Sequence, residues 1–113
     1  MRLMVYSHDA FGLGNIRRML AICEHLLSAI TDLSILVVSG SPMLQSFRLP
    51  PRLDYIKIPC INRGETGEIS VKYLNTEIAE TVKLRSDLIL MAAINFKPDA
   101  ILVDKKPYGI KNE

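Results

Sequence analysis

The chain opens with a short apolar run, Leu3 to Tyr6, followed by a polar stretch with two glycines, Ser7-His8-Asp9-Ala10-Phe11-Gly12-Leu13-Gly14. Apolar residues then recur at Ile16, Met19, Leu20, Cys23, Leu26, Leu27 and Ile30. That spacing is the helical period, so the segment predicts a strand, a glycine turn and an amphipathic helix. The run Leu33-Ser34-Ile35-Leu36-Val37-Val38, closed by Ser39-Gly40-Ser41-Pro42, predicts a strand buried on both faces. Residues 43–47 read as a short helix or turn. Leu53-Asp54-Tyr55-Ile56-Lys57-Ile58 nearly alternates and meets Pro59, the pattern of an edge strand with Asp54 and Lys57 outward. Residues 62–68, with two glycines and no periodicity, read as a loop.

A long helix is expected over residues 76–96, capped by Asn75 or Thr76 and ended by Lys97-Pro98. Ile78, Val82, Ile89, Ala93 and Phe96 lie on one side, and Leu84, Leu88 and Met91 widen that stripe. A stripe this broad predicts more than one neighbour, one of them outside this chain. A fourth strand follows at Ala100-Ile101-Leu102-Val103. Strands alternating with helices, joined by right-handed crossovers, predict an α/β fold: a Rossmann-like three-layer unit with a parallel sheet in the order 3-2-1-4. Residues 1–113 are expected to form one incomplete domain, the first part of a larger α/β unit.

Composition narrows the classes of function. Half of the 113 residues are apolar, 23% are charged and the net charge is +2, which argues against disorder and against a general nucleic-acid or membrane-surface role. The opening apolar run is too short for a signal sequence or a membrane span, so a cytoplasmic protein is expected. Cys23 and Cys60 lie far apart with no CxxC and read as reduced thiols, with no metal site. The methionines at 4, 19, 43 and 91 read as packing residues and His25 as a surface residue.

In a 3-2-1-4 sheet, ligands bind beyond the carboxyl ends of the strands, where the strand order reverses. The loop after the first strand would bring His8, Asp9, Gly12, Gly14, Asn15 and Arg17 there, and the loop after the fourth Asp104, Lys105 and Lys106. The first helix begins at this point, and its free backbone N–H groups and positive dipole end favour an anion such as a phosphate. Arg17 and Arg18 stand in its first turn, where cations oppose the dipole at a cost of a few tenths of a kcal/mol each. A bound anion would offset that cost. Simpler readings also fit: His8 as a loop-orienting group, Asn15 as a helix cap, Asp104 as the cap of a following helix, and Lys105-Lys106 as a solvated pair.

Several familiar sites do not match. A dinucleotide fingerprint needs a third glycine where Arg17 stands and an acidic residue after the second strand, where the chain has Ser39-Gly40. A P-loop needs Gly-Lys-Ser/Thr. A receiver-type signalling domain needs an aspartate at the end of the third strand, where Pro59-Cys60 stands. No cofactor is expected.

Ser7-His8-Asp9-x-x-Gly12-Leu13-Gly14-Asn15-Ile16-Arg17-Arg18, taken with Phe96-Lys97-Pro98-Asp99 and Val103-Asp104-Lys105-Lys106-Pro107-Tyr108-Gly109, resembles the amino-terminal part of a family of bacterial predicted glycosyltransferases. That family is similar to the N-acetylglucosaminyltransferase that makes lipid II. The resemblance implies a GT-B enzyme of two Rossmann-like domains. The amino-terminal one holds the acceptor, and the carboxyl-terminal one binds the nucleotide-sugar donor. It implies that Gly12 and Gly14 line the cleft, that Arg17-Arg18 follow the loop, and that no metal is required. The family pattern has a histidine where this chain has Asn15, leaving His8 as the loop histidine available as a base.

The expectation is therefore an amino-terminal, acceptor-side fragment of a glycosyltransferase, inactive alone, meeting its nucleotide-sugar through a missing carboxyl-terminal domain. Two alternatives remain open. One is a stand-alone acceptor-binding subunit that pairs with a separate nucleotide-binding chain; the other is a small phosphate-ligand-binding domain.

Overall fold

The computed structural model describes residues 1–7, 14–40, 48–59, 61–63, 69–71 and 77–103, with backbone alone at 14–16, 61–63 and 69–71. Its elements in chain order are β1 (Arg2–Ser7), α1 (Gly14–Ala29), β2 (Ser34–Ser39), β3 (Leu53–Lys57), β4 (Ile61–Arg63), β5 (Ile69–Val71), α2 (Ile78–Phe96) and β6 (Ala100–Val103). Four strands form a sheet in the order β3-β2-β1-β6, every neighbouring pair parallel. Counting only these four, the order is 3-2-1-4, as the alternation of strands and helices predicts.

The alternation of side chains along β1 divides the core in two. Leu3 and Val5 join Met19, Leu20, Cys23 and Leu27 of α1 in one buried cluster, with Ile35 and Val37 from β2. Met4 and Tyr6 point the other way, into a cluster with Val38, Ile58 and Ala92, against which Ile89, Ala93 and Phe96 of α2 pack. Helix, sheet and helix are thus the three layers. The register places Val5 between Val37 of β2 and Leu102 of β6. Asp54 and Lys57 of the edge strand β3 are exposed, as expected.

Three details depart from the sequence reading. Short strands flank the segment read as a loop and take in its first two residues, Ile61 pairing with Val71 and Arg63 with Ile69 in antiparallel fashion, while residues 64–68 lie outside the described residues. Three-residue strands are too short to leave a period in the sequence. Secondly, α2 begins at Ile78 rather than Thr76; its N-cap position is Glu77, with no side-chain cap bond. Thirdly, its buried line runs through Thr81, Arg85 and Ala92, while Ile78, Val82, Ile89, Ala93 and Phe96 are half-buried. Leu84, Leu88 and Met91 are exposed, so Met91 is not the packing residue expected, whereas Met4 and Met19 are fully buried.

Both helices have their carboxyl ends held by arginines from other elements. The Arg52 guanidinium, just before β3, donates to the carbonyls of Leu27 (2.6 Å), Ile30 (3.1 Å), Thr31 (2.8 Å) and Leu33 (3.0 Å) around the end of α1. Helix-end carbonyls lack intrahelical partners and carry the negative end of the dipole, so a cation here satisfies both needs. Arg2 does the same for α2, donating to the Phe96 carbonyl at 2.8 Å with its guanidinium 5.9 Å from the Phe96 ring centroid. Lys97 ends α2 in the left-handed region, its N–H donating to the Ala93 carbonyl.

Arg52 itself has φ 66, a conformation that costs a non-glycine residue about 1–2 kcal/mol. The charge-assisted bonds of its side chain, worth about 1.5–3 kcal/mol each, offset that strain. In urea denaturation, Arg52→Ala should lose about 2–3 kcal/mol of stability, and Arg52→Gly, which relieves the backbone, about 1 kcal/mol less. Equal losses in the two variants would show that position 52 stores no strain.

The carboxyl-terminal half of α2 is apolar nearly all round, with Leu90, Met91 and Ile94 each more than half exposed. Ile101 of β6 is 57% exposed. A helix apolar on every side is normally covered on every side. Light scattering should therefore detect concentration-dependent self-association of the purified chain, and Ile94→Lys should reduce it while changing stability by no more than about 0.5 kcal/mol. Monodisperse monomer at every concentration would contradict this.

Candidate functional site

The carboxyl ends of β1 and β2 are where the chain turns polar. Ser7 and Ser39 end these strands side by side in register, and both are fully buried. By strand alternation Ser7 continues the row of Leu3 and Val5, and Ser39 that of Ile35 and Val37, so both lie on the α1 side of the sheet. The Ser39 carbonyl accepts the Ile58 N–H at 3.0 Å, tying β2 to the end of β3. The Ser7 hydroxyl has no hydrogen-bond partner. A buried hydroxyl left unpaired costs about 1–3 kcal/mol, so its position calls for an explanation.

Helix α1 starts at this same end of the sheet, with Gly14, and its first turn contains no acidic residue. Arg17 and Arg18 are exposed there. In α2, by contrast, Glu80 lies in the first turn and complements the positive dipole end. The beginning of α1 therefore combines the positive dipole end of a helix with two guanidinium groups.

The opposite face of the sheet brings a third cation close. Arg85 of α2 is fully buried, donating to the Pro59 carbonyl at 2.6 Å and to the Tyr6 hydroxyl at 2.9 Å. Tyr6 immediately precedes Ser7, so Arg85 places its charge beneath the same strand end. Residues of this kind elude a sequence reading because an arginine in a helix is counted as solvent-facing. The serine pair left a clearer trace: each is a small polar residue closing an apolar run, at Tyr6-Ser7 and at Val38-Ser39.

Of the residues expected at the site, the structure places Gly14 and Asn15 in the first turn of α1 by their backbone, and Arg17 exposed two residues further on. Asn15 is thus inside the helix rather than before it. His8, Asp9 and Gly12 in the first loop, and Asp104, Lys105 and Lys106 after β6, lie outside the described residues. Among the described residues there is no group of three or more His, Cys, Asp or Glu side chains that could hold a metal, and no helix long and apolar enough to cross a membrane. The anion-favouring features that are described gather at the end of β1 and the start of α1.

The described cysteine is no nucleophile for this site. Cys23 lies in the α1 core, its thiol 3.6 Å from the Met19 sulfur, and burial, helped by the neighbouring Glu24 charge, pushes its pKa from 9.0 to about 11. Cys60 is outside the described residues.

Compared with protein-family models, with curated proteins and with solved structures, the chain shows no match.

The raised thiol pKa has a consequence for stability. Above pH 9 the unfolded chain loses the Cys23 proton while the folded chain keeps it until about pH 11, so stability falls as pH rises through that window. Cys23→Ser should flatten the fall between pH 9 and pH 11 in urea denaturation, and Cys23 in the folded protein should resist iodoacetamide at pH 8. Alkylation there as fast as in the unfolded chain would contradict the buried thiol.

Proposed function

We propose that the chain is the acceptor-side part of a GT-B glycosyltransferase, which transfers a sugar from a nucleotide-sugar to an acceptor when joined to a donor-binding Rossmann-like half. One observation supports this reading above others: the parallel 3-2-1-4 sheet, in which β1 leads into α1 at the point where strand order reverses. Open parallel sheets bind ligands at that point. A fold of this type hosts many functions, so the activity rests on the resemblance of the loop motifs, with the fold compatible but not specific.

In this reading His8 is the base that takes the proton of the acceptor hydroxyl. Gly12 and Gly14 allow the backbone to approach the acceptor, and Asn15, Arg17, Asp104 and Lys105 border it. No cofactor and no metal take part, and the reaction belongs in the cytoplasm. The donor half supplies the nucleotide pocket.

The isolated 113-residue chain should neither bind uridine-diphosphate sugars at micromolar concentration in calorimetry nor hydrolyse them. Joined to the donor half encoded in its own reading frame or in a neighbouring one, it should transfer sugar, and His8→Ala should lower kcat by about 10²–10⁴ with stability unchanged. Turnover by the isolated chain, or none by the joined protein across a panel of nucleotide-sugars, would overturn the reading.

A further inference from the structure

We infer that the buried Ser7 hydroxyl and the first turn of α1 together form a binding site for a phosphoryl group. The inference goes beyond the transferase reading and does not depend on it. A helix N-terminus alone offers amide donors to any anion, or to water. Here a second feature, independent of the helix, meets it.

Ser7 is fully buried, and its Oγ lacks a hydrogen-bond partner. Its place is fixed from both sides. It pairs in register with Ser39, which is also fully buried, and it continues the Leu3 and Val5 row towards the α1 side of the sheet. Because α1 packs on that side and begins beyond the carboxyl end of β1, the hydroxyl lies at the end of the sheet towards which the amides of Gly14 and Asn15 are directed. An alanine at position 7 would spare the chain an unpaired buried hydroxyl at no loss of packing. The retained oxygen has a physical reason if a ligand accepts its hydrogen bond.

The chemistry of the surroundings selects that ligand. A hydroxyl donor and helix-end amides lie at the same end and on the same side of the sheet, the first turn of α1 has no acidic residue, Arg17 and Arg18 stand at the start of that helix, and Arg85 is buried beneath the adjacent Tyr6. Every one of these groups is a donor or a positive charge. A phosphoryl group offers several acceptor oxygens with negative charge, enough to accept hydrogen bonds from the Ser7 hydroxyl and the helix amides at once. A carboxylate, with two oxygens in one plane, satisfies fewer of them.

The test is titration of inorganic phosphate, pyrophosphate and uridine diphosphate, with sodium chloride matched for ionic strength, into the ¹⁵N-labelled chain. Each phosphoryl ligand should shift the Gly14 and Asn15 amides at millimolar concentration or below, whereas chloride should not. Tighter binding of pyrophosphate and uridine diphosphate than of phosphate would assign the site to a diphosphate ester; equal binding would assign it to a single phosphoryl group. Ser7→Ala should weaken binding about fivefold to tenfold while leaving the melting temperature of the free protein unchanged or raised, and Ser7→Thr, which keeps the hydroxyl, should bind within about twofold of wild type. Unmoved Gly14 and Asn15 amides in the folded wild-type chain would overturn the inference, and so would full affinity in Ser7→Ala or a melting temperature lowered by that change. None of these ligands carries a glycosyl group that could be transferred, so failure here leaves the transferase reading standing, and failure of sugar transfer leaves this site standing.

Discussion

Strand β1 is the element on which the rest of the molecule depends. Like β2 it has a parallel neighbour on each side, and unlike β2 it is buried at every position after its first, from Leu3 to Ser7. Its alternation sends Leu3 and Val5 to α1 and Met4 and Tyr6 to α2, so each helix finds a layer to cover because β1 has two apolar faces. Fully burying an aliphatic side chain is worth about 1.5–3 kcal/mol, and β1 does this on both faces within six residues. A one-residue slip of its register would exchange the two clusters and set Ser7 among the side chains facing α2.

That arrangement also sets the polarity of the sheet. At the amino ends of the strands the helix carbonyls are satisfied by Arg52 and Arg2, cations brought from outside each helix, and the Arg2 N–H and carbonyl are further tied to Asp99. These bonds place positive charge at the negative ends of the helix dipoles. At the carboxyl ends the pattern reverses: the start of α1 carries arginines instead of carboxylates. Structural needs are met at one edge of the sheet, and at the other positive charge gathers without a large net charge on the chain. The +2 balance of the whole chain conceals this local asymmetry.

The parts legible in the sequence were those with strong periodicity. The runs at Leu3 to Tyr6 and at Leu33 to Val38 matched strands to within a residue, since buried parallel strands are continuous apolar runs, and the run at Ala100 to Val103 matched a strand although its residues are half-buried or exposed. The strand order followed from right-handed crossovers. The β4–β5 pair was illegible because pairing of three residues is decided by tertiary placement. The buried face of α2 was misjudged for a different reason: Arg85 has carbonyl and hydroxyl acceptors, from Pro59 and Tyr6, that lie far from it in sequence. At the candidate site, the glycine turn was visible as a motif, whereas the significance of Ser7 depends on burial and on the lack of a partner, neither of which a sequence displays.

Ser7 and Arg85 show two opposite ways of keeping a polar group inside a small core. Arg85 is held by acceptors on either side of it, and removing one of them would leave a buried charge less well satisfied. Ser7 has none, although it ends a strand whose residues from Leu3 onward are all buried. Packing alone favours an apolar residue at the end of β1, because the neighbouring positions 3 to 6 are all apolar and buried. The two groups lie on opposite faces of one strand end, linked through Tyr6, so the polar content of the core is concentrated where strand order reverses. A core under pressure for stability alone has no reason to gather its polar groups at that one edge; a ligand with several acceptor oxygens supplies one.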